Sequence, residues 1–380
     1  MDFNFNEDQQ AFAESAQALF ADYCSDAQLR AHDFGTAPYM ETLWPQCVAS
    51  GLHSILLPEE LGGMGMGMTE LMAVLEQQGR ALALVPLVEQ QLVAATVARF
   101  QPDLLPVVAK AIAGECLLTL SLEGLRNAVQ LPLQATRSGE QIVLNGMTNA
   151  VPLGMQSQFA LLAVLLDGAP RLLLLDLATP GLQKIEGVTQ HHLSVADLIC
   201  KNLTVPANCL LDAGAQAWLE PRLIAAVASL QLGVSAQQLK RTVEYVSERK
   251  QFGRVIGSFQ LVAGQMADCH IALEALRSAL CQLIYRLDAG LGCVPQSYSV
   301  KVLAAEAAQL VGHKGQHVHG GIGVDVSYPI HRFNYWSRAL GTTLGGAEQS
   351  LALLGDWLAE HDCLGWKYDR AEDMGADHAV

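Results

Sequence analysis

Apolar and polar residues alternate with helical spacing over residues 1–115. After the polar run Asn6-Glu7-Asp8, apolar side chains fall on one helical face at Phe12, Ala16, Leu19 and Phe20. The glycine-rich run of residues 62–67 predicts a loop, and Thr69 after it predicts the N-cap of a helix over residues 70–82. This pattern predicts a helical N-terminal domain over residues 1–115.

The spacing changes to short apolar runs over residues 116–212. Each run is bounded by Gly, Asp, Asn or Pro, and the runs cover residues 117–122, 129–135, 141–144, 159–166 and 172–177. Short apolar runs between turn residues are typical of strands. We therefore expect a small antiparallel β domain over residues 116–212.

Helical spacing returns from residue 213 onward. Apolar residues then recur at alternating intervals of three and four, at Phe259, Val262, Met266, Cys269, Leu273, Leu276, Leu280 and Leu283. This spacing predicts the buried seam of a long helix. The order of helices, strands and helices predicts an α+β fold in which residues 213–360 form a C-terminal helical bundle. Residues 361–380 show no periodicity and are predicted to form an acidic tail.

Composition narrows the class of protein. Of the 380 residues, 51% are hydrophobic and 16% are charged, which is enough apolar material for a large core. The net charge of −15 argues against a nucleic-acid-binding protein, because such proteins need a cationic surface. Gly, Pro and charged residues interrupt the most apolar tract, residues 159–177, so no membrane span is expected. The polar start of the chain and the nine scattered cysteines favour a reduced, cytoplasmic protein.

Histidine and glycine clusters are the first candidates for a site. His313 and His317 are spaced for one helix face, but no third ligand accompanies them, so no metal site is expected. The glycines of residues 63–67 do not match a dinucleotide-binding fingerprint. Gly320-Gly321-Ile322-Gly323 follows a predicted helix. It is either a helix-ending turn or a place where the backbone approaches a ligand closely.

The cationic segment of residues 248–254 ends another predicted helix and allows two interpretations. Arg249 and Lys250 are cations suited to a helix C-terminus, with Gly253 as the stop. Alternatively, Arg249 and Phe252 belong to a corner that holds a pyrophosphate or stacks on an adenine. The spacing alone does not separate these interpretations.

Three segments resemble the acyl-CoA dehydrogenase family, in the order in which the family carries them. They are GLHSILLPEELGGMGMG (51–67), YVSERKQFGRVIGSFQ (245–260) and HVHGGIGVDVSYPIHRF (317–333). They resemble the family's Pro-Glu-x-x-Gly-Gly, Tyr-x-x-x-Arg-x-x-Phe-Gly…Phe-Gln and Gly-Gly-x-Gly…Tyr-Pro segments. The resemblance implies a helical N-terminal domain, a small antiparallel β middle domain and a C-terminal four-helix bundle.

The resemblance also implies a chemistry and a cofactor. The family dehydrogenates acyl-CoA thioesters between the α and β carbons: a glutamate removes the α-proton, and the β-hydrogen passes as hydride to FAD. In the family the FAD lies across a dimer interface. Positions that match the family's contacts to the neighbouring subunit's FAD are present here, and they are the predicted cofactor-binding residues: Arg249, Phe252, Gln260, His317, Gly320 and Gly321. His317, beside Gln316, replaces the family's usual glutamine.

Both positions at which the family places its catalytic glutamate are aliphatic in this chain. One is Leu344, fifteen residues after Pro329, and the other is Leu223, twenty-nine residues before Phe252. No catalytic residue is therefore predicted. Glu220 and Glu348 lie about one helical turn from these positions and serve as a base only if the alignment or the helix register shifts.

The family's cradle for the flavin ring is also altered. Its Thr-Glu-Pro…Gly-Ser-Asp segment corresponds to Ser121-Leu122-Glu123, without the Gly-Ser-Asp, and its Trp-x-Thr falls on Ala150 and Pro152. Alanine offers no ring for stacking, and proline has no backbone N–H to donate to the flavin.

The positions for the base and the flavin ring differ from the family pattern, whereas the positions that contact the neighbouring subunit's FAD match it. This difference, together with the resemblance, predicts the non-catalytic subunit of a heterotetrameric acyl-CoA dehydrogenase, which holds the adenosine-diphosphate half of its partner's FAD. Such paired subunits occur among bacterial enzymes that act on steroid side-chain CoA thioesters, so the resemblance implies a bulky acyl-CoA as substrate of the complex. Two alternatives stay open. One is a self-sufficient homotetramer with a displaced base such as Glu220, and the other is a binding or scaffold protein without FAD.

Overall fold

The computed structural model of the protein describes residues 5–122 and 133–361. The predicted strand residues 129–132, Glu123 and almost all of the predicted acidic tail, residues 362–380, lie outside the described residues. The described residues divide into two compact units. The first comprises residues 5–34, 68–83 and 224–361, and the second comprises residues 35–67, 84–122 and 133–223.

Helices flank a central β region along the chain, as predicted. The N-terminal helices are α1 (Glu7–Tyr23), α2 (Asp26–Asp33), α3 (Trp44–Ala49), α4 (Met68–Ala81), α5 (Leu87–Phe100) and α6 (Leu105–Ile112). The C-terminal helices are α7 (Ala215–Glu248), α8 (Gln260–Asp288), α9 (Val294–His319), α10 (Ile330–Thr342) and α11 (Ala347–Glu360). Helices α8, α10 and α11 all pack on α9. The predicted α+β fold class is confirmed.

The β region forms a sheet in the second unit. Its strands are β1 (Leu118–Ser121), β2 (Leu133–Ser138), β3 (Gln141–Pro152), β4 (Phe159–Leu166), β5 (Ala169–Asp176), β6 (Gln183–Val188) and β7 (Ser194–Pro206). They pair in the order β1-β4-β2-β3-β7-β6, and β5 pairs with β4. The buried side chains of one face form an apolar core that includes Leu133, Ile142, Leu144, Leu162, Val164, Leu173 and Leu175.

The sheet is mixed, so the expectation of a purely antiparallel domain is wrong in this respect. The hairpin pairs β2–β3, β4–β5 and β6–β7 are antiparallel, and so is β3–β7, whereas β1 and β2 each pair with β4 in parallel. Turn residues indicate the antiparallel direction of strands that are neighbours in sequence. They carry no information about strands that meet through a long connection, which is how parallel pairs arise.

The N-terminus of α4 is capped from a distant part of the first unit. The carboxylate of Asp288, the last residue of α8, accepts hydrogen bonds from the backbone N–H groups of Met68 (2.7 Å) and Thr69 (3.0 Å). The Thr69 hydroxyl donates to the same carboxylate at 2.6 Å. The prediction of Thr69 as the N-cap was therefore wrong. The cap is supplied by a residue 219 positions later in the chain, which a local sequence pattern does not reveal.

Helices α4 and α7 cross closely within the first unit. A Cβ atom on Gly79 would lie 2.2 Å from the Leu230 carbonyl oxygen, and one on Gly233 would lie 2.0 Å from the Glu76 carbonyl oxygen. Only glycine fits at these two positions. The Glu76 side chain is buried beside this crossing, and Arg80 of α4 and Arg277 of α8 each donate to it at 2.8 Å.

Candidate functional site

The cationic segment after α7 folds into a tight hairpin. The Arg249 N–H still donates to the Tyr245 carbonyl oxygen at 2.9 Å, and the strands β8 (Lys250–Gln251) and β9 (Arg254–Val255) then pair in antiparallel fashion. Phe252 and Gly253 form the two-residue connection, with φ values of 53° and 82°. Two successive positive φ angles are what a type I′ hairpin turn requires. Glycine adopts this conformation freely, whereas phenylalanine does so rarely.

Two of the predicted cofactor-binding side chains on this hairpin project into solvent. The Phe252 residue is 92% exposed. The Arg249 side chain is exposed, and it forms no hydrogen bond or ion pair within the described part of the chain. Gln260, the first residue of α8, is also exposed. These three side chains are available to a ligand that this chain does not itself contain.

The glycine pair after α9 offers exposed backbone. Gly320 has φ 62° and ψ −138°, a conformation open to glycine, and its N–H donates to the carbonyl oxygens of Gln316 and His317. A Cβ atom placed on Gly320 or Gly321 would meet no described atom within 4 Å. The pair therefore ends α9, which is the first of the two alternatives. The space beside it leaves room for a ligand, and the close approach of a ligand stays a prediction.

An aromatic cluster joins the segments that carry these residues. The His319 ring stacks on Tyr245, with centroids 4.3 Å apart, and Tyr328 lies 5.6 Å from His319 and 6.4 Å from Tyr245. Tyr245 lies one turn before Arg249, and His319 directly precedes Gly320. The cluster thus holds the end of α7 beside the end of α9. Sequence reasoning missed the cluster, although its three members lie within the recognised segments 245–260 and 317–333.

Burial keeps the His319 ring in its neutral form. Removal of the ring from solvent is the main cause of its lowered pKa, which the hydrogen bond to the Gly315 carbonyl oxygen only partly offsets. The ring donates through Nδ1 to that carbonyl at 2.8 Å. An uncharged ring between two tyrosines is therefore the stable arrangement of the cluster near neutral pH.

The exchange at His317 leaves an exposed imidazole where the family has glutamine. The His317 ring stacks on His313, with centroids 6.5 Å apart. The neighbouring Gln316 has a structural role instead, because it accepts a hydrogen bond from Asn334 at 2.8 Å and its Nε2 lies 3.4 Å from the Gly320 carbonyl oxygen. Within residues 5–122 and 133–361, no three His, Cys, Asp or Glu side chains are grouped so that they could hold a metal ion.

The two positions that correspond to the family's catalytic base hold aliphatic side chains. Leu223 is buried in α7, and Leu344 lies between α10 and α11 with φ 60°. Neither side chain can accept a proton. Of the two nearby carboxylates, Glu348 is exposed in the first turn of α11, and Glu220 lies in α7 directly before Pro221.

In the second unit, the positions expected to face a flavin ring are occupied by internal contacts. Ala150 lies in an irregular part of the β3–β7 ladder with φ 50°, and its N–H donates to the Asp197 carboxylate at 2.8 Å. The Pro152 carbonyl oxygen accepts from the Thr119 hydroxyl. The Ala150 donor is thus already used, and Pro152 has no N–H. These residues do not fit the ring half of FAD, whereas the exposed cation, phenyl ring and glycine backbone of the first unit fit its adenosine-diphosphate half.

None of the helices in the described ranges is both long enough and apolar enough to cross a membrane.

Comparison with known proteins gives matches over nearly the whole chain. Residues 6–103 match the family model for the acyl-CoA dehydrogenase N-terminal domain, and residues 224–358 match the model for the C-terminal domain. Acyl-CoA dehydrogenase FadE27 of Mycobacterium tuberculosis is 32% identical over 373 residues, which cover 95% of this chain and 99% of that protein.

Two solved structures are similar in both sequence and fold. A chain of the ChsE4–ChsE5 complex of Mycobacterium tuberculosis superposes with a TM-score of 0.90 at 31% identity, covering 96% of this chain and all of that one. A chain from a variant of the Tcur3481–Tcur3483 steroid ACAD superposes with a TM-score of 0.88 at 33% identity, covering 93% of this chain and 98% of that one.

Proposed function

The chain belongs to the acyl-CoA dehydrogenase family, and we propose that it is the non-catalytic subunit of a heterotetrameric member, in which it binds the adenosine-diphosphate half of an FAD held by its partner. FAD is the cofactor of this family, and when bound it accepts the hydride removed from the acyl-CoA. In the proposed complex the partner supplies the flavin-ring site and the catalytic base. This chain supplies a cation, a phenyl ring and a glycine pair without side chains, which a phosphate group can approach closely.

The observation that carries the proposal is the exposed half-site of the first unit. The chain has a net charge of −15, so an anionic pyrophosphate needs a local cation, and Arg249 is exposed with its guanidinium donors uncommitted. A guanidinium presents a fixed fork of donors that suits paired phosphate oxygens. Gly320 and Gly321 leave the backbone open to a phosphate group, and the exposed Phe252 ring can pack on an adenine.

The absence of an aligned base supports the same assignment. Leu223 and Leu344 provide no proton acceptor, and the donor at Ala150 is already used by Asp197. General loss of function would have removed both halves of the cofactor site equally. Selective retention of the half that faces a neighbour is what a non-catalytic subunit requires.

The segment that follows the glycine pair, which begins as a 3₁₀ helix, supports contact with a neighbouring subunit. Ile322, Val324 and Val326 are 41%, 67% and 51% exposed, respectively. A run of exposed aliphatic side chains next to a binding site is characteristic of a surface that another protein covers. The relatives favour the kind of partner: ChsE4–ChsE5 is a complex, and Tcur3481–Tcur3483 is a steroid ACAD. We therefore propose a partner from the same family and a steroid-type acyl-CoA thioester as substrate of the complex.

Flavin content with and without the partner tests the proposal. An affinity-tagged chain is purified alone after expression in a foreign host, and in parallel from its native source together with its partner. We expect a colourless chain in the first preparation and flavin absorbance in the second. A chain that is yellow and active alone would favour the self-sufficient homotetramer. A complex without flavin from the native source would favour the FAD-free scaffold.

A further inference from the structure

Phe252 is unfavourable in the isolated chain in two respects. Its φ of 53° lies in the left-handed region, where a bulky side chain is strained, and 92% of the residue is exposed to solvent. Asparagine before glycine is the pair that a two-residue hairpin of this kind prefers. An exposed apolar ring at such a position is therefore better explained by a contact that it makes in the assembled protein than by the stability of this hairpin.

The exposed ring is nevertheless held in place from one side. The Phe252 and Phe259 rings meet edge to face, with centroids 6.3 Å apart and planes at 89°. The Arg254 guanidinium carbon lies 3.9 Å from the Phe259 ring centroid, which is cation–π geometry. The three side chains thus form one stack, hereafter the Phe252–Phe259–Arg254 stack.

The stack joins two elements of the half-site. Arg254 pairs with Gln251 across the hairpin, directly beside the Phe252–Gly253 turn. Phe259 occupies the N-cap position of α8, immediately before Gln260. A contact between Arg254 and Phe259 therefore links the hairpin tip to the start of α8, where another predicted cofactor contact lies.

We propose that Arg254 and Phe259 are positioning residues that hold the Phe252 ring ready to pack against the adenine of the partner's cofactor. This inference rests on the proposed function. A ring that is already oriented loses less conformational freedom when the cofactor binds, so the stack increases affinity without touching the cofactor itself. Because Arg254 acts through the Phe259 ring, its contribution disappears when that ring is absent.

Titration of FAD into the flavin-stripped complex tests the proposal. We expect Arg254→Gln and Phe259→Leu each to weaken FAD binding about three- to tenfold, with Arg254→Lys retaining part of the affinity. The double variant Arg254→Gln/Phe259→Leu should bind FAD no more weakly than the weaker single variant, because the two residues act in series. Arg338→Gln, which removes an exposed arginine of α10, is the matched control and should bind FAD as the wild type does.

A second variant separates positioning from a purely structural role. Phe252→Asn should raise the thermal midpoint of the flavin-free complex, because it relieves the strained φ, and should weaken FAD binding about tenfold. The thermal midpoint of the flavin-free complex should stay unchanged in Arg254→Gln. Wild-type affinity in both Arg254→Gln and Phe259→Leu, additive losses in the double variant, or a fall in the flavin-free midpoint that accompanies the loss of affinity would each overturn the positioning role.

Failure of this inference is distinguishable from failure of the proposed function. Weak FAD binding in Arg249→Ala with wild-type binding in the Arg254 and Phe259 variants rejects the positioning role alone. Wild-type binding in Arg249→Ala rejects the half-site itself, and the positioning role with it.

Discussion

At the scale of single residues, Arg249 gives the sharpest prediction about the half-site. Charge-assisted hydrogen bonds contribute about 1.5–3 kcal/mol each, so Arg249→Ala should weaken FAD binding by the assembled complex roughly ten- to a hundredfold. Arg249→Lys should restore only part of the affinity, because an ammonium cannot bridge two phosphate oxygens. The measurement is the FAD dissociation constant of the purified complex, with circular dichroism as the folding control. Unchanged affinity would leave Arg249 as an ordinary cation at a helix end.

The sequence named the candidate residues of this site, whose binding role stays a prediction, but it did not give their conformations. Arg249, Phe252 and the glycine pair lie in segments whose pattern is specific. The strained φ of Phe252 and the stacking of His319 on Tyr245 depend on how distant segments meet. Because a local pattern records only which residues are neighbours in the chain, such contacts become visible only in the folded protein.

At the scale of helices and strands, the cap of α4 is open to direct test. Asp288→Ala removes the acceptor of two backbone N–H groups and of the Thr69 hydroxyl. Loss of an N-cap lowers the free energy of unfolding by about 1–2 kcal/mol. Thr69→Val is the matched variant, because it removes only the hydroxyl bond and should have a smaller effect. Urea denaturation of the full chain measures both; equal stability of Asp288→Ala and the wild type would contradict the assigned cap.

The buried Glu76 beside the α4–α7 crossing makes stability depend on pH. Burial acts to raise the Glu76 pKa, but the hydrogen bonds from Arg277 and the charges of Arg277 and Arg80 outweigh it and hold the pKa below its usual value. A carboxyl whose pKa is lowered by folding stabilises the protein above its unfolded-state pKa of about 4.3, and that stabilisation is lost as the pH falls through the folded value.

Glu76→Gln should therefore be less stable than the wild type at neutral pH. Removing one partner of a buried ion pair lowers the free energy of unfolding by about 3–5 kcal/mol. Arg80 and Arg277 are each about 30% exposed, so solvent screens their charges, and we expect a loss of roughly 2–3 kcal/mol. The difference should shrink as the pH is lowered below about 4. Glu274→Gln, which removes an exposed carboxylate 3.8 Å from Arg277, is the control. The measurement covers about pH 3 to 7, a range that brackets the ordinary carboxyl pKa of about 4.3. If the difference in stability between Glu76→Gln and the wild type did not change over this range, the charge of Glu76 would not be its cause.

At the scale of the whole molecule, the order of helices and strands followed from the periodicity of the sequence, whereas the pairing of the strands did not. The change from helical spacing to short apolar runs between turn residues marked the β region. The 259–283 stripe matches buried positions of α8, such as Leu273, Leu276 and Leu280. The parallel pairing of β1 and β2 with β4 was not predictable, because it joins strands that no hairpin connects. Periodicity indicates which face of an element is buried. Only the folded sheet shows which strands pair with each other.

The catalytic activity of the whole chain is also open to test. The full chain alone, supplied with excess FAD and a panel of acyl-CoA thioesters that includes steroid side-chain derivatives, should show no turnover. Proton abstraction by a positioned base contributes about 10²–10⁴-fold to such a reaction, and neither Leu223 nor Leu344 can provide it. Addition of the partner subunit should restore activity. Robust turnover by the chain alone that disappears in Glu220→Gln or Glu348→Gln would instead favour a displaced base and a self-sufficient enzyme, because the amide keeps the size of the side chain but cannot accept the proton.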